Sequence, residues 1–170
     1  SPFENNPFSR LIEIINYLIG DLVKTKCPPQ RITDYHNFIN LLRNYSYVDI
    51  FSLNHDLILE QVLDEYRLHF ANGFDKNGSE IFIDNDQLPS YQSSFSESVN
   101  VYKLHGGIGQ YSFPHGSESA NGVRLDGKCT YFFTLGYYEK HGVSRKNPET
   151  HDIIQSFHSD TVPKFLTGTD

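Results

Sequence analysis

The chain predicts an α/β fold, on three observations. Residues 47–69 read as strand, polar turn and helix. Residues 99–104 read as a second apolar strand that ends in His105-Gly106-Gly107. Leu11 to Val23 carries apolar residues at helical spacing. Strand–turn–helix units place ligand-binding residues at the carboxyl ends of strands. At 170 residues the chain suits a single domain over 1–170, large enough to bury roughly 70% of its unfolded surface. No linker or internal repeat divides it.

The elements follow in order. Asn6-Pro7 opens a helix and Leu11, Ile12, Ile14, Ile15, Leu18, Ile19, Leu22 and Val23 form its stripe. Lys24, Lys26 and Pro28-Pro29 end it. A second helix is expected from Asp34 to Arg43, with Tyr35, Phe38, Ile39, Leu41 and Leu42 inward. Tyr47–Leu53 is short and rich in β-branched and aromatic residues, hence a strand. Leu57–His69 is expected to be helical, with Leu59, Val62, Leu63 and Tyr66 on one face. Residues 70–98 are turn-rich and read as a long loop, with Glu80–Ile83 as one arm of a hairpin. Val99–Leu104 is a strand, and a loop runs to about Gly127. Cys129–Leu135 is a strand in which Tyr131, Phe132 and Phe133 are expected to be buried. Thr150–Phe157 is expected to be a short helix, and Lys164–Leu166 to begin a strand.

Composition excludes several classes. The net charge is −7 and the pI about 5.5. No basic stripe is present, so no nucleic-acid partner is expected. Mean hydropathy is −0.47, and Glu13, Asn16, Gly20 and Asp21 interrupt the most apolar run, so no membrane span is expected. Cys27 and Cys129 are the only cysteines, too few for a four-cysteine zinc site, and no targeting motif is present. A cytoplasmic location is expected. The histidine spacings, His105 with His115 and His151 with His158, match no metal-ligand pattern, so no metal is expected. Gly73–Asp84 echoes a calcium loop but lacks its first acidic ligand and its final Glu, and a hairpin turn is the better reading. Tyr137 and Tyr138 are candidates for surface contact. The chain contains no methionine, which suggests a trimmed chain or the middle of a larger protein.

Two segments could carry chemistry. Ser52-Leu53-Asn54-His55-Asp56 and Lys103-Leu104-His105-Gly106-Gly107 both close apolar strands. Were those strands parallel neighbours, Asn54, Asp56 and His105 would meet on one rim. There an amide, a carboxylate and an imidazole can orient a ribose, hold a carboxamide and take a proton. Glycine after His105 lets a ligand approach the backbone. The same residues also suit a plainer role, with Asn54 or Asp56 capping the following helix and His105 serving as a turn residue.

Ile50-Phe51-Ser52-Leu53-Asn54-His55-Asp56-Leu57-Ile58-Leu59-Glu60 resembles the strand–turn–helix motif of bacterial sirtuin-like (silent-information-regulator-like) domains. Val101-Tyr102-Lys103-Leu104-His105-Gly106-Gly107-Ile108 resembles their second motif, an apolar strand closing in Lys-Leu-His-Gly. The resemblance covers residues 34–110. It implies a Rossmann-like, mostly parallel sheet flanked by helices, here incomplete at both ends. It also implies NAD as substrate and cleavage of the nicotinamide–ribose bond, in many prokaryotic relatives as a defence against phage. Carried over, Asn54 would position the water or a ribose hydroxyl and His105 would be the general base. Ser52, Asp56 and Gly106 would contact the dinucleotide, with Asp56 at the nicotinamide carboxamide. Assembly as a homo-oligomer or with a partner subunit is implied too. The chain departs from the pattern in lacking the Gly-Ala-Gly phosphate loop, and adenosine contacts would lie beyond Asp170. Leu53 stands where deacylating sirtuins have Gln. An NAD-dependent deacylase therefore ranks last, behind a non-catalytic interaction module.

Overall fold

The computed structural model describes residues 29–115, 118–119, 122–123, 128–135 and 143–157, together with Leu11, Ile14, Ile15, Leu18, Ile19 and Leu22. Those six separate residues are helical, as the stripe predicts. Leu11, Ile14, Ile15, Leu18 and Leu22 are exposed, while Ile19 packs on a small core of Leu57, Ile108 and Phe133. The expected start at Asn6-Pro7, the strand at Lys164–Leu166 and the tyrosines 137 and 138 lie outside the described residues.

A 3-10 segment, Pro29–Tyr35, leads into α1 (His36–Arg43). The second helix thus begins two residues later than Asp34, after the tighter turn. Strand β1 (Val48–Ser52) runs into α2 (Ile58–Glu65), shorter than the predicted 57–69. Beyond α2 the chain turns sharply, with Arg67 at φ 52°. Arg43 Nη2 donates to the Tyr66 carbonyl at 3.0 Å, tying the ends of the two helices together.

Strand β6 (Val99–Lys103) lies parallel to β1 and in register, Val48 against Val99 through Ser52 against Lys103. Ala71 adds a parallel bridge to Asn100 on the other side. Alternation along the strands sets their faces. Val99 and Val101 point inward and form a core with Ile39 and Leu42 of α1 and Val62 and Leu63 of α2. The opposite face carries Phe51, Leu53 and Leu104, each more than half exposed. Tyr102 stacks on Phe51 at 4.8 Å and on Phe95 at 4.3 Å between ring centres.

Here the predicted fold class is overturned. The rest of the described chain is antiparallel β. Strands β2 (Gly73–Asp75), β5 (Ser90–Ser94), β10 (Lys128–Phe133) and β7 (Gln110–His115) form one sheet in that order. Strands β12 (Ile153–Phe157), β11 (Val143–Lys146), β3 (Ile81–Ile83) and β4 (Asp86–Gln87) form another. A two-residue ribbon pairs β8 (Glu118–Ser119) with β9 (Gly122–Val123). Ile81 and Val143 of the second sheet pack on Tyr111, Phe113 and Phe132 of the first as a sandwich core. Among the described residues the parallel part is the β1–β6 pair with the Ala71 bridge, and the described helices pack on one face only, so this is not a helix-flanked Rossmann sheet.

Four local expectations change with it. Residues 70–98 are four short strands rather than a loop, although the hairpin at Ile81–Ile83 is present, paired with Asp86–Gln87. The Gly73–Asp84 segment is a passage between two sheets, not a hairpin turn. Thr150–Phe157 is not a helix: Ile153–Phe157 is an edge strand on β11, and Ile153 and Ile154 stay exposed. Phe132 and Phe133 are buried as expected, but Tyr131 is 47% exposed.

Candidate functional site

Because β1 and β6 run parallel in register, both polar turns leave at the same edge. Asn54 and His105 each stand two residues past the Ser52–Lys103 rung. Backbone bonds join the turns: Leu104 N–H donates to the Ser52 carbonyl at 3.0 Å, and Ile108 N–H to the His55 carbonyl at 2.8 Å. The second turn closes with Gly106 N–H on the Lys103 carbonyl at 3.2 Å. Gly106 has φ +70°, a conformation costly for other residues.

Lys103 is the hub. Its side chain is 2% exposed. Its Nζ donates to the Asn54 carbonyl at 3.0 Å and the Asp56 carbonyl at 2.5 Å, and lies 3.4 Å from Glu60 Oε2 in a buried ion pair. Two N–H groups thus serve the two carbonyls, and the charge faces the Glu60 carboxylate as an ion pair. Burial raises the Glu60 carboxyl above its ordinary value, and the Lys103 ammonium pulls it back down. Alternation had already placed residue 103 inward with Val99 and Val101, and Glu60 lies on α2 beside apolar positions. That inward lysine was the signal that reading the motifs for ligand contacts passed over.

The predicted site residues divide. Asp56 Oδ1 accepts from the Ile58 N–H at 3.0 Å, an Asx turn that leads into α2, whose N-cap position is Leu57 without a side-chain cap. Ser52 Oγ accepts from the Asn54 N–H at 3.2 Å. The Asn54 side chain is exposed, and its amide enters none of the described hydrogen bonds. His105 is half-buried, its ring 6.1 Å from that of His55. The His55 imidazole is held below its ordinary value, chiefly by burial. The Gly106 backbone opposes that shift, and His105 and Lys103 reinforce it. Among the described residues no three His, Cys, Asp or Glu side chains cluster as metal ligands, and no helix is long and apolar enough to cross a membrane.

Beside this rim lies a cleft of about 510 Å³ that includes Lys103 and Leu104 but not Asn54, Asp56 or His105. Phe74, Tyr91, Phe95, Tyr102 and Tyr131 line it, together with Asn72 and Gln110. Composition did not reveal it, because its residues come from five separated segments.

Gly109 locks the second turn to the antiparallel sheet. Its carbonyl accepts from Thr134 N–H at 2.9 Å. A Cβ there would sit 2.4 Å from the Thr134 carbonyl oxygen and 2.9 Å from Leu57 Cδ2. Gly109→Ala is expected to cost about 1–3 kcal/mol by overpacking, read as a lowered urea midpoint. An unchanged midpoint would contradict the packing described.

No protein-family model matches the chain, and no curated protein or solved structure matches it either.

Proposed function

We propose that the chain binds NAD at the carboxyl edge of the β1–β6 pair and hydrolyses its nicotinamide–ribose bond. The observation that carries this reading is the parallel, in-register pairing that sets Asn54 and His105 at equal offsets on adjoining turns. Its partner is the resemblance of those two turns to the sirtuin-like motifs.

In this reading the bond between the ribose C1′ and the pyridinium nitrogen breaks, and nicotinamide leaves with the electron pair. Water adds to the oxocarbenium carbon and gives its proton to His105. Asn54 orients that water or a ribose hydroxyl through its open amide. The products are nicotinamide, ADP-ribose and a proton. Lys103 acts at one remove, holding the Asn54 and Asp56 carbonyls and so fixing the turn that carries Asn54. Since Asp56 Oδ1 is engaged by the helix, its contribution to the nicotinamide carboxamide falls to the second carboxylate oxygen.

The test is nicotinamide release from NAD. The wild-type chain is expected to release it, and Asn54→Ala to reduce the rate about tenfold, the loss of one positioned hydrogen bond. A folded protein that leaves NAD intact overturns the proposal. It would favour a non-catalytic interaction module, a reading supported by the exposed Phe51, Leu53 and Leu104 on the open strand face.

A further inference from the structure

We propose that the aromatic cleft beside the rim is a binding site for a single adenine-type base. The site goes beyond the hydrolysis reading and stands without it.

Sheet register sets the aromatic lining. Phe132 on β10 faces Ser90 on β5, so the next rung sets Tyr131 beside Tyr91. Phe74 on β2 pairs with Tyr91 in turn. Phe132 and Ser90 point into the sandwich and are buried, so Phe74, Tyr91 and Tyr131 form a row on the outer face. Phe74 meets Tyr91 edge to face at 5.2 Å, which fixes one end of the row. Tyr91 and Tyr131 keep 50% and 47% of their surface open although they line the cleft. Tyr102 contributes a wall rather than a stacking face, because Phe51 and Phe95 both stack on it.

Such a row suits the flat face of a base, since every base can stack on an aromatic ring. Polar groups at the edge select the kind of ring. Asn72 Oδ1 already accepts from the Phe74 N–H at 3.2 Å, leaving its NH₂ to donate. Gln110 lies on β7, one strand beyond Tyr131, and lines the same space. A carboxamide offers one donor and one acceptor, the pattern that pairs with the amino group and ring nitrogen of adenine. Charge narrows the class further. Among the described residues Lys103 is the only charged one that lines the cleft, and its ammonium is engaged by Asn54, Asp56 and Glu60. With no free cation among the described lining residues to follow a phosphate backbone and a net charge of −7, the cleft suits one neutral base rather than a nucleic-acid strand.

Adenine alone is the probe, titrated into the full chain and followed by calorimetry. Saturable binding is expected. Tyr91→Ala and Gln110→Leu are each expected to weaken it at least fivefold, with unchanged circular dichroism showing that the fold persists. Asn54→Ala is expected to leave adenine affinity as it was, so loss of nicotinamide release and loss of base binding remain separable. The proposal is overturned if adenine shows no saturable binding up to its solubility limit, or if affinity survives both substitutions. Equal competition by phenol would also overturn it, by showing a slot for any apolar ring.

Discussion

Lys103→Met is expected to destabilise the fold by about 3–5 kcal/mol at neutral pH, the cost of leaving a buried charge without its partner. The side chains of Lys103 and Glu60 are both 2% exposed, and the lysine also holds the carbonyls of Asn54 and Asp56. Methionine fills the volume but donates nothing. Against a typical total of 5–15 kcal/mol, the loss is large enough to read directly in a urea titration. The pH dependence identifies its cause. Glu60 in the folded chain has its pKa raised above the ordinary 4.5. The native state therefore binds that proton more tightly than the unfolded state, and stability falls as pH rises from 4.5 through the folded value. Removing Lys103 raises the carboxyl further. The variant's stability should thus fall more steeply with pH, its deficit narrowing toward pH 4.5 to the loss at the two carbonyls. Adding Glu60→Met should recover most of the loss, short of about 1–3 kcal/mol for the two carbonyls still without a donor. A single variant within 1 kcal/mol of wild type at neutral pH would remove Lys103 from its place as the hub.

The second large effect is chemical. His105→Ala is expected to lower nicotinamide release by about 10²–10⁴-fold, the range for a positioned general base. Stability should move by no more than about 0.5 kcal/mol. The His105 ring enters none of the described hydrogen bonds, and the turn is held by backbone atoms: Gly106 N–H on Lys103, and Ile108 N–H on the His55 carbonyl. The decisive comparison is rate against urea midpoint in the same preparation. A fall in rate of less than tenfold, with the midpoint intact, takes the base role away from His105.

What could be read from the chain follows from how local each signal is. Val48–Ser52 and Val99–Lys103 are apolar, β-branched and bounded by polar turns, so both strands were legible. Their parallel pairing was legible as a condition on the site. The helices at 36–43 and 58–65 followed from the spacing of Ile39 with Leu42 and of Leu59 with Val62 and Leu63. Of strands β2 to β5, only β3 was legible, as the hairpin arm at Glu80–Ile83; the others were not. They are two to five residues long, include Gly73, Asp86 and Ser90–Ser94, and gain their pairing from residues far along the chain, as Ser90 does from Phe132. Thr150–Phe157 misled for the opposite reason. Ile153, Ile154 and Phe157 have helical spacing, but the segment pairs with β11 as a strand and leaves its isoleucines in water. At the site, the residues offered Asp56 as a helix cap or a ligand contact, and the structure engages one of its oxygens locally, with the Ile58 N–H.

The Phe51–Tyr102–Phe95 stack also has an optical consequence. The chain has 11 tyrosines and no tryptophan, so its ultraviolet emission is tyrosine emission with no indole to drain it. A phenol ring clamped between two phenyl rings sits in a fixed, chiral surrounding. Its near-ultraviolet dichroism therefore reports the joining of residue 51 on one strand, residue 102 on its neighbour and residue 95 on the approach. The molecule carries its own gauge of whether its parallel strands are zipped.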